Sequence, residues 1–358
     1  MNRLFIIGNG FDLAHGLKTR YEDFLLWYLK SAAIEAHDTG IYKDVNLIIS
    51  WEKVKGISHK HWFDKCENSK ELIDNLKQNS FKIEYKSIFF QRIIETSYSN
   101  WVNIENTYYK ILKIHLRNQT KVRKNLVKLN IELSFIVEKL TEYISTIDKN
   151  DVSKIKPENK YLDIFKKKHH EIEFYEVENE VKKGGIKVFK NLVLNFNYTA
   201  LIENYIKILK KENKDFEQIQ IHGSASDPNT IVFGFGDELD EDYHEMEKKN
   251  NNEFFKHIKS FKYFQDDNYQ KLMAFIEGSE PFEVIVLGHS LGLSDRTMLS
   301  QIFEHKNLER VQLYYYEGEK GNDFTEKTYE ISRHFSDKGR MRLKVVPFTA
   351  SEAMPQVE

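Results

Sequence analysis

The chain has 358 residues, 41% of them hydrophobic and 13% aromatic, enough to fill one large or two ordinary cores and too many for a disordered polymer. Its 53 Lys and Arg against 55 Asp and Glu give a net charge of −2, which excludes a global basic field for nucleic acid or an anionic membrane. A single cysteine, Cys66, excludes an internal disulfide and a cysteine-built zinc site, and no run approaches the ~18 apolar residues of a membrane span, so a cytoplasmic protein with no membrane partner is expected.

In chain order, LFII (4–7) reads as a buried strand followed at once by a glycine-rich turn, GNGFD. Apolar residues at three- and four-residue spacing then predict amphipathic helices near 21–38, 68–79, 83–97, 101–117, 121–148 and 161–182. KKGGIK (182–187) marks a hinge, after which continuous apolar runs return: NLVLNF (191–196), IQIH (219–222), IVFGF (231–235), EVIVLG (283–288), VQLYYY (311–316) and RLKVVPF (342–348). Helices are expected between them at 200–212, 267–277, 296–305 and 324–336, and EDYHEMEKKNNNE (241–253) reads as a solvated loop or lid. The expected fold is α/β, a Rossmann-like parallel sheet with a large helical insertion after the first strand: residues 1–19 and 186–358 form the nucleotide-binding domain and 20–185 the insertion.

Four stretches carry chemistry. Gly8 and Gly10 let the backbone turn sharply and approach a ligand, although Leu13 stands where a dinucleotide fingerprint has its third glycine and no G-K-[ST] follows. A tight turn capped by Asn9 or Asp12 is the competing reading. At the end of the second strand, Asn197 can hold a ribose or a water, or can cap the helix expected at 200–212. His222, followed by Gly223, places an imidazole at a third strand end, where it can act as a base. Gly288-His289-Ser290-Leu291-Gly292 matches the G-x-S-x-G elbow of serine hydrolases, with Asp323 or Asp337 and His334 as the later triad members. Against that, Leu293, Ser294 and Asp295 read as a fresh helix cap, and only about 55 residues remain to complete a hydrolase fold.

In this order, GNGFDLAHGLKTRYEDF, NFNYT, IHG with IVFGFGD, and GHSLGLSD resemble the AbiH family of bacterial phage abortive-infection proteins, and WVNIE (101–105) adds a weaker point. A looser similarity is to sirtuin-like NAD-binding domains. That resemblance implies Gly8, Asn9 and Gly10 against the pyrophosphate, Asn197 on the nicotinamide ribose or attacking water, His222 as base, and Ser290 and Asp295 on the adenosine side. Asp12, Thr199, Gly223 and Gly288 complete the implied pocket. Thr199 stands where those domains have an aspartate and Asn9 where they have an alanine, and the absent four-cysteine ribbon weighs against a deacetylase.

The resemblances imply an antiphage effector that binds NAD, as substrate or ligand, or a related nucleotide, and hydrolyses it in the manner of an NAD glycohydrolase without a metal. Its implied partners are a phage-derived trigger, a second defence protein, or further copies in an autoinhibited homo-oligomer. The alternatives are a nucleotide sensor without turnover, a nuclease using NQTKVRKNLVKL (118–129) as a basic face, and the serine hydrolase above.

Overall fold

The computed structural model describes residues 1–52, 65–97, 104–117, 122–167, 190–212, 215–278, 280–319 and 321–357. Eight strands of three or more residues occur there: β1 (Asn2–Ile7), β2 (Ile41–Lys43), β3 (Leu47–Trp51), β4 (Phe81–Tyr85), β5 (Asn191–Asn195), β6 (Phe216–Gln220), β7 (Phe282–Leu287) and β8 (Leu308–Leu313). Two compact units contain them. One comprises Met1–Leu17, Ser145–Val232 and Ser260–Glu358; the other comprises Lys18–Ile144 and Phe233–Lys259.

The first unit is built on a five-stranded parallel sheet in the order β6-β5-β1-β7-β8. Counted along the chain within this sheet, that is 3-2-1-4-5, the Rossmann-like order, and its direction of winding reverses between β1 and β7. β1 pairs in register with β5 (Phe5 with Val193) on one side and β7 (Phe5 with Ile285) on the other. Both faces are covered, which is why these strands read as unbroken apolar runs. Leu4, Ile6, Leu192, Leu194, Val284 and Val286 point into one core, closed by helices Asn268–Ile276 and Arg296–Phe303. Phe5 points to the other face, where its ring centroid lies 5.0 Å from Phe165 and 5.9 Å from Phe216. Helix Asn159–Lys166 is pinned there by the buried Arg3, which donates to Asn191 Oδ1 (2.9 Å), Lys167 O (2.7 Å) and Phe165 O (3.0 Å). The guanidinium fork thus satisfies carbonyls at a helix C-terminus that would otherwise be orphaned.

In the second unit, β2, β3 and β4 form an antiparallel sheet, and helix Tyr21–Thr39 buries Phe24, Leu25, Tyr28, Leu29, Ala32, Ala33 and Ala36. Asp44 fixes the β2–β3 turn by accepting from the amides of Asn46 (2.7 Å) and Leu47 (2.9 Å) and from the hydroxyls of Tyr28 and Tyr42. Of WVNIE, only Ile104 and Glu105 fall within the described residues. Glu105 Oε1 sits 3.0 Å from the buried Lys259 Nζ and accepts from the Gly234 amide at 3.3 Å, tying 233–259 to helix Ile104–Arg117.

Five of the seven expected strands of the parallel sheet form, and two do not. In IVFGF the Val232 amide is used on His222 O, and Phe235 makes only an isolated bridge to Ile258. Of RLKVVPF, Arg342–Lys344 end helix Lys338–Lys344, Val345 makes one bridge to Val311, and Pro347 has no amide to continue a ladder. The block expected to be all helix also contains β2, β3 and β4, and the helix expected over 83–97 starts only at Ile88, after β4. Residues 241–248 are not a loop. They form helix Glu241–Lys248, capped by the Asp240 side chain on the Asp242 amide, with Tyr243 and Met246 buried at three-residue spacing. KKGGIK lies outside the described residues, as do the end of the helix expected over 161–182 and residues 118–121 of the basic segment. Val122–Leu129 of that segment open the helix Val122–Asn150. Among the described residues no helix is long and apolar enough to cross a membrane.

Candidate functional site

Four chain segments meet at the C-terminal ends of β1, β5, β6 and β7. Beyond Ile7, Gly8 and Gly10 donate their amides to Leu287 O (3.0 Å) and Gly288 O (2.8 Å), so the turn after β1 is laced to the turn after β7. There is no room for a side chain at this seam. A Cβ on Gly8 would lie 2.4 Å from His289 Cα, one on Gly10 2.8 Å from Gly288 Cα, and one on Gly288, at φ +72°, 2.2 Å from the Phe11 nitrogen. The glycines read as a ligand cradle are therefore required by contact between two stretches of backbone. Asn9 is exposed at the start of the short helix Asn9–Ala14.

NFNYT closes over this turn. Asn197 Nδ2 donates to Gly8 O (3.1 Å) and to Asp12 Oδ1 (2.9 Å), and Thr199 Oγ1 donates to Asp12 Oδ2 (2.7 Å). Asn197 does not cap the next helix, Leu201–Lys211, whose N-cap is Ala200. The grip on Asp12 is the signal that sequence reasoning missed. An acid in the first helix and an amide and a hydroxyl 185 and 187 residues later form one buried hydrogen-bonded group. Burial pushes the Asp12 carboxyl up to about 7, against the two hydrogen bonds from Thr199 and Asn197 and with a small push from Asp148. Burial likewise raises Asp148 to about 6 although it accepts from the Ala200 amide.

The third segment ends in His222. Its Nε2 lies 3.0 Å from Asp295 Oδ1, with both residues about 6% exposed. Tyr198 stacks beside the ring at 6.2 Å and Phe196 meets it edge-on at 4.9 Å. Gly223 is a turn residue at φ +77° whose Cβ position is occupied by Thr230 O, so its glycine is a chain-packing requirement as well.

From the fourth segment, Asp295 also faces His289 Nε2 at 4.0 Å and accepts from Ser294 Oγ at 3.1 Å. His289 Nδ1 accepts the Leu291 amide at 2.9 Å, which in the neutral ring places the proton on Nε2, toward Asp295. Phe196 packs against this second imidazole too, at 4.2 Å. His289 carries no distinct mark in the sequence, since it sits in GHSLG as the variable residue of a motif. Ser290 is exposed, and His334 directs its Nε2 to Leu291 O at 2.8 Å. Asp323 and Asp337 are occupied elsewhere: the first accepts from the Tyr316 amide and faces Lys327 Nζ at 3.3 Å, and the second caps helix Lys338–Lys344 by accepting from the amides of Gly339 and Arg340.

The structure thus brings together Gly8, Gly10, Asp12, Asn197, Thr199, His222, Gly288 and Asp295, and adds Phe196 and His289. Chemically, a carboxylate that orients an imidazole at a sheet edge can hold a proton acceptor in place. Among the described residues no group of three or more His, Cys, Asp or Glu is arranged to hold a metal ion.

No curated protein and no solved structure matches the chain. The sequence model described as "Bacteriophage abortive infection AbiH" matches residues 4–316, which cover all four segments of the site, and the chain belongs to that family, with a role in antiphage abortive infection.

Proposed function

We propose that the sheet-edge site binds NAD or a related nucleotide and hydrolyses it, so that abortive infection proceeds by loss of the nucleotide. The carrying observation is the His222–Asp295 pair, 3.0 Å apart and buried, which joins the segments following β6 and β7 beyond the carboxyl ends of the strands, the side on which open α/β sheets take ligands. The order of the four segments, similar to that of sirtuin-like NAD-binding domains, gives the choice of nucleotide.

In the reaction, water adds to C1′ of the nicotinamide ribose, and the glycosidic C–N bond breaks with its electron pair leaving on nicotinamide. The water's proton passes to His222, so NAD and water give ADP-ribose, nicotinamide and a proton. The transition state is oxocarbenium-like and needs positioning more than strong acid catalysis. With Nε2–H directed at Asp295, His222 Nδ1 carries the lone pair that takes the proton. Asn197 acts as a positioning residue, holding the Gly8 turn through its carbonyl.

Purified full-length chain incubated with NAD, with and without phage lysate, should release ADP-ribose and nicotinamide, and His222→Ala should abolish release by at least about 100-fold, a typical general-base contribution. Intact NAD in all conditions, while His222→Ala still abolishes protection of cells, would overturn the hydrolase. A second reading, a sensor that binds without turnover, is favoured by one observation: the Asn197 donor is already used within the chain. Saturable NAD binding by calorimetry with no product supports it.

A further inference from the structure

His334, the imidazole that a triad at Ser290 would require, is used otherwise in the structure. It follows helix Phe324–Ser332, is 1% exposed, and packs against Phe303 with ring centroids 5.9 Å apart. Its Nε2 lies 2.8 Å from Leu291 O, and since a carbonyl only accepts, Nε2 carries the proton. Its Nδ1 is buried without a hydrogen-bond partner. Burial lowers the proton affinity of the ring, against the Leu291 carbonyl and the charge of Asp295, which keeps it neutral with a single N–H. An apolar side chain would fill this place without orphaning a nitrogen. What only a donor supplies there is the bond to Leu291 O.

The backbone of Leu291 shows what that bond holds. Leu291 is fully buried at φ +58°, in the left-handed region that a bulky side chain adopts only where its surroundings enforce it. Its side chain is locked in the core of the parallel sheet, its amide donates to His289 Nδ1 at 2.9 Å, and its carbonyl accepts from His334. Lys327, 8% exposed on helix Phe324–Ser332, adds a longer hold on the same turn, from Nζ to His289 O at 3.4 Å. Leu291 is thus gripped at its amide and at its carbonyl by two imidazoles, and a change at His334 reaches His289 through a single residue. With Nδ1 taken by that amide, His289 faces Nε2 to Asp295 Oδ2 at 4.0 Å, while Asp295 Oδ1 lies 3.0 Å from His222 Nε2.

We infer that His334 is a positioning residue for the sheet-edge site: by holding Leu291 left-handed it fixes the ring of His289, which with Asp295 fixes the tautomer of His222 that leaves Nδ1 as the proton acceptor. The kinetic consequence rests on the hydrolase reading above, and the geometric one does not.

The test compares the full-length wild type, isotope-labelled at its histidines, with His334→Leu and His334→Gln. Leucine fills the space without a donor, and glutamine offers an N–H in place of the imidazole's. Proton–nitrogen correlation spectra at neutral pH, assigned by single replacements, should show His289 and His222 each as one Nε2–H tautomer in the wild type and in His334→Gln. Mixed tautomers at both are expected in His334→Leu. With NAD, His334→Leu should lower kcat about tenfold or more and leave KM within about twofold, the pattern of a misplaced group and not of lost binding, and His334→Gln should recover most of the loss. Melting temperatures report that both variants are folded. The spectra need no turnover, so a wild type inert toward NAD overturns the hydrolase while the tautomers still decide the role of His334. Unchanged His289 and His222 tautomers in His334→Leu, or a glutamine variant as impaired as the leucine one, would overturn the inference.

Discussion

Gly16 and Gly288 have almost the same backbone angle, φ +76° and +72°, and differ in what surrounds them. A Cβ on Gly16 meets nothing within 4 Å, whereas one on Gly288 would lie 2.2 Å from the Phe11 nitrogen and 2.6 Å from Gly10 C. Gly16→Ala should therefore cost about 1 kcal/mol, the strain of a left-handed alanine, and Gly288→Ala about 3 kcal/mol or more, because backbone must also move. Urea titration of the two variants measures the difference; equal losses would show that the seam is loose. The same pair shows what the sequence can and cannot say at this scale. It marks where a side chain is not tolerated, at Gly8, Gly10, Gly223 and Gly288, but a ligand and a neighbouring loop impose the same demand. His222 and Asp295 were legible because each follows a strand or opens a helix. His289 was not, since nothing in GHSLG says which way its ring turns.

Among the elements, the five parallel strands were legible because burial on both faces writes them as unbroken apolar runs. LIISW at β3 alternates buried and half-buried over only five residues, too short a pattern to separate from a helix turn, and its hairpin depends on Asp44, which looks like any polar loop residue. RLKVVPF misled for the opposite reason, since its apolar content serves packing behind a helix end and its backbone leaves the ladder after one bridge. The helix Asn159–Lys166 depends on a residue far away in sequence, Arg3, whose three side-chain bonds link β1, β5 and the helix C-terminus. Arg3→Ala should destabilise the chain by roughly 2–4 kcal/mol, since it leaves buried carbonyls without donors. Chemical denaturation checks this, and a loss under about 0.5 kcal/mol, the level of ordinary surface changes, would mean water replaces the guanidinium without cost.

For the molecule as a whole, buried acids and histidines set opposite pH dependences. Asp12 has its carboxyl raised from 3.8 to about 7, chiefly by burial. Between those values the folded chain holds the proton more tightly than the unfolded chain, so stability declines as pH rises through the window and the full cost is present above about 7. His15 and His334 are lowered by burial from 6.5, so their contribution is complete above that value and is lost as pH falls. Comparing wild type with Asp12→Asn cancels the histidines. Asparagine loses one hydrogen bond from Thr199 or Asn197 at every pH, but the deficit should shrink by an order of 2–3 kcal/mol between pH 5 and pH 8. Urea midpoints across that range measure it, and a pH-independent deficit would show that Asp12 is ionised throughout. Asp12 is also fastened to Gly8 through Asn197, and Gly8 to the turn that carries His289. With no slack between those two turns, neither can shift by itself: a molecule settling against residues 289–295 would tug the 8–12 corner along with it, and a proton lost from Asp12 would be felt in reverse.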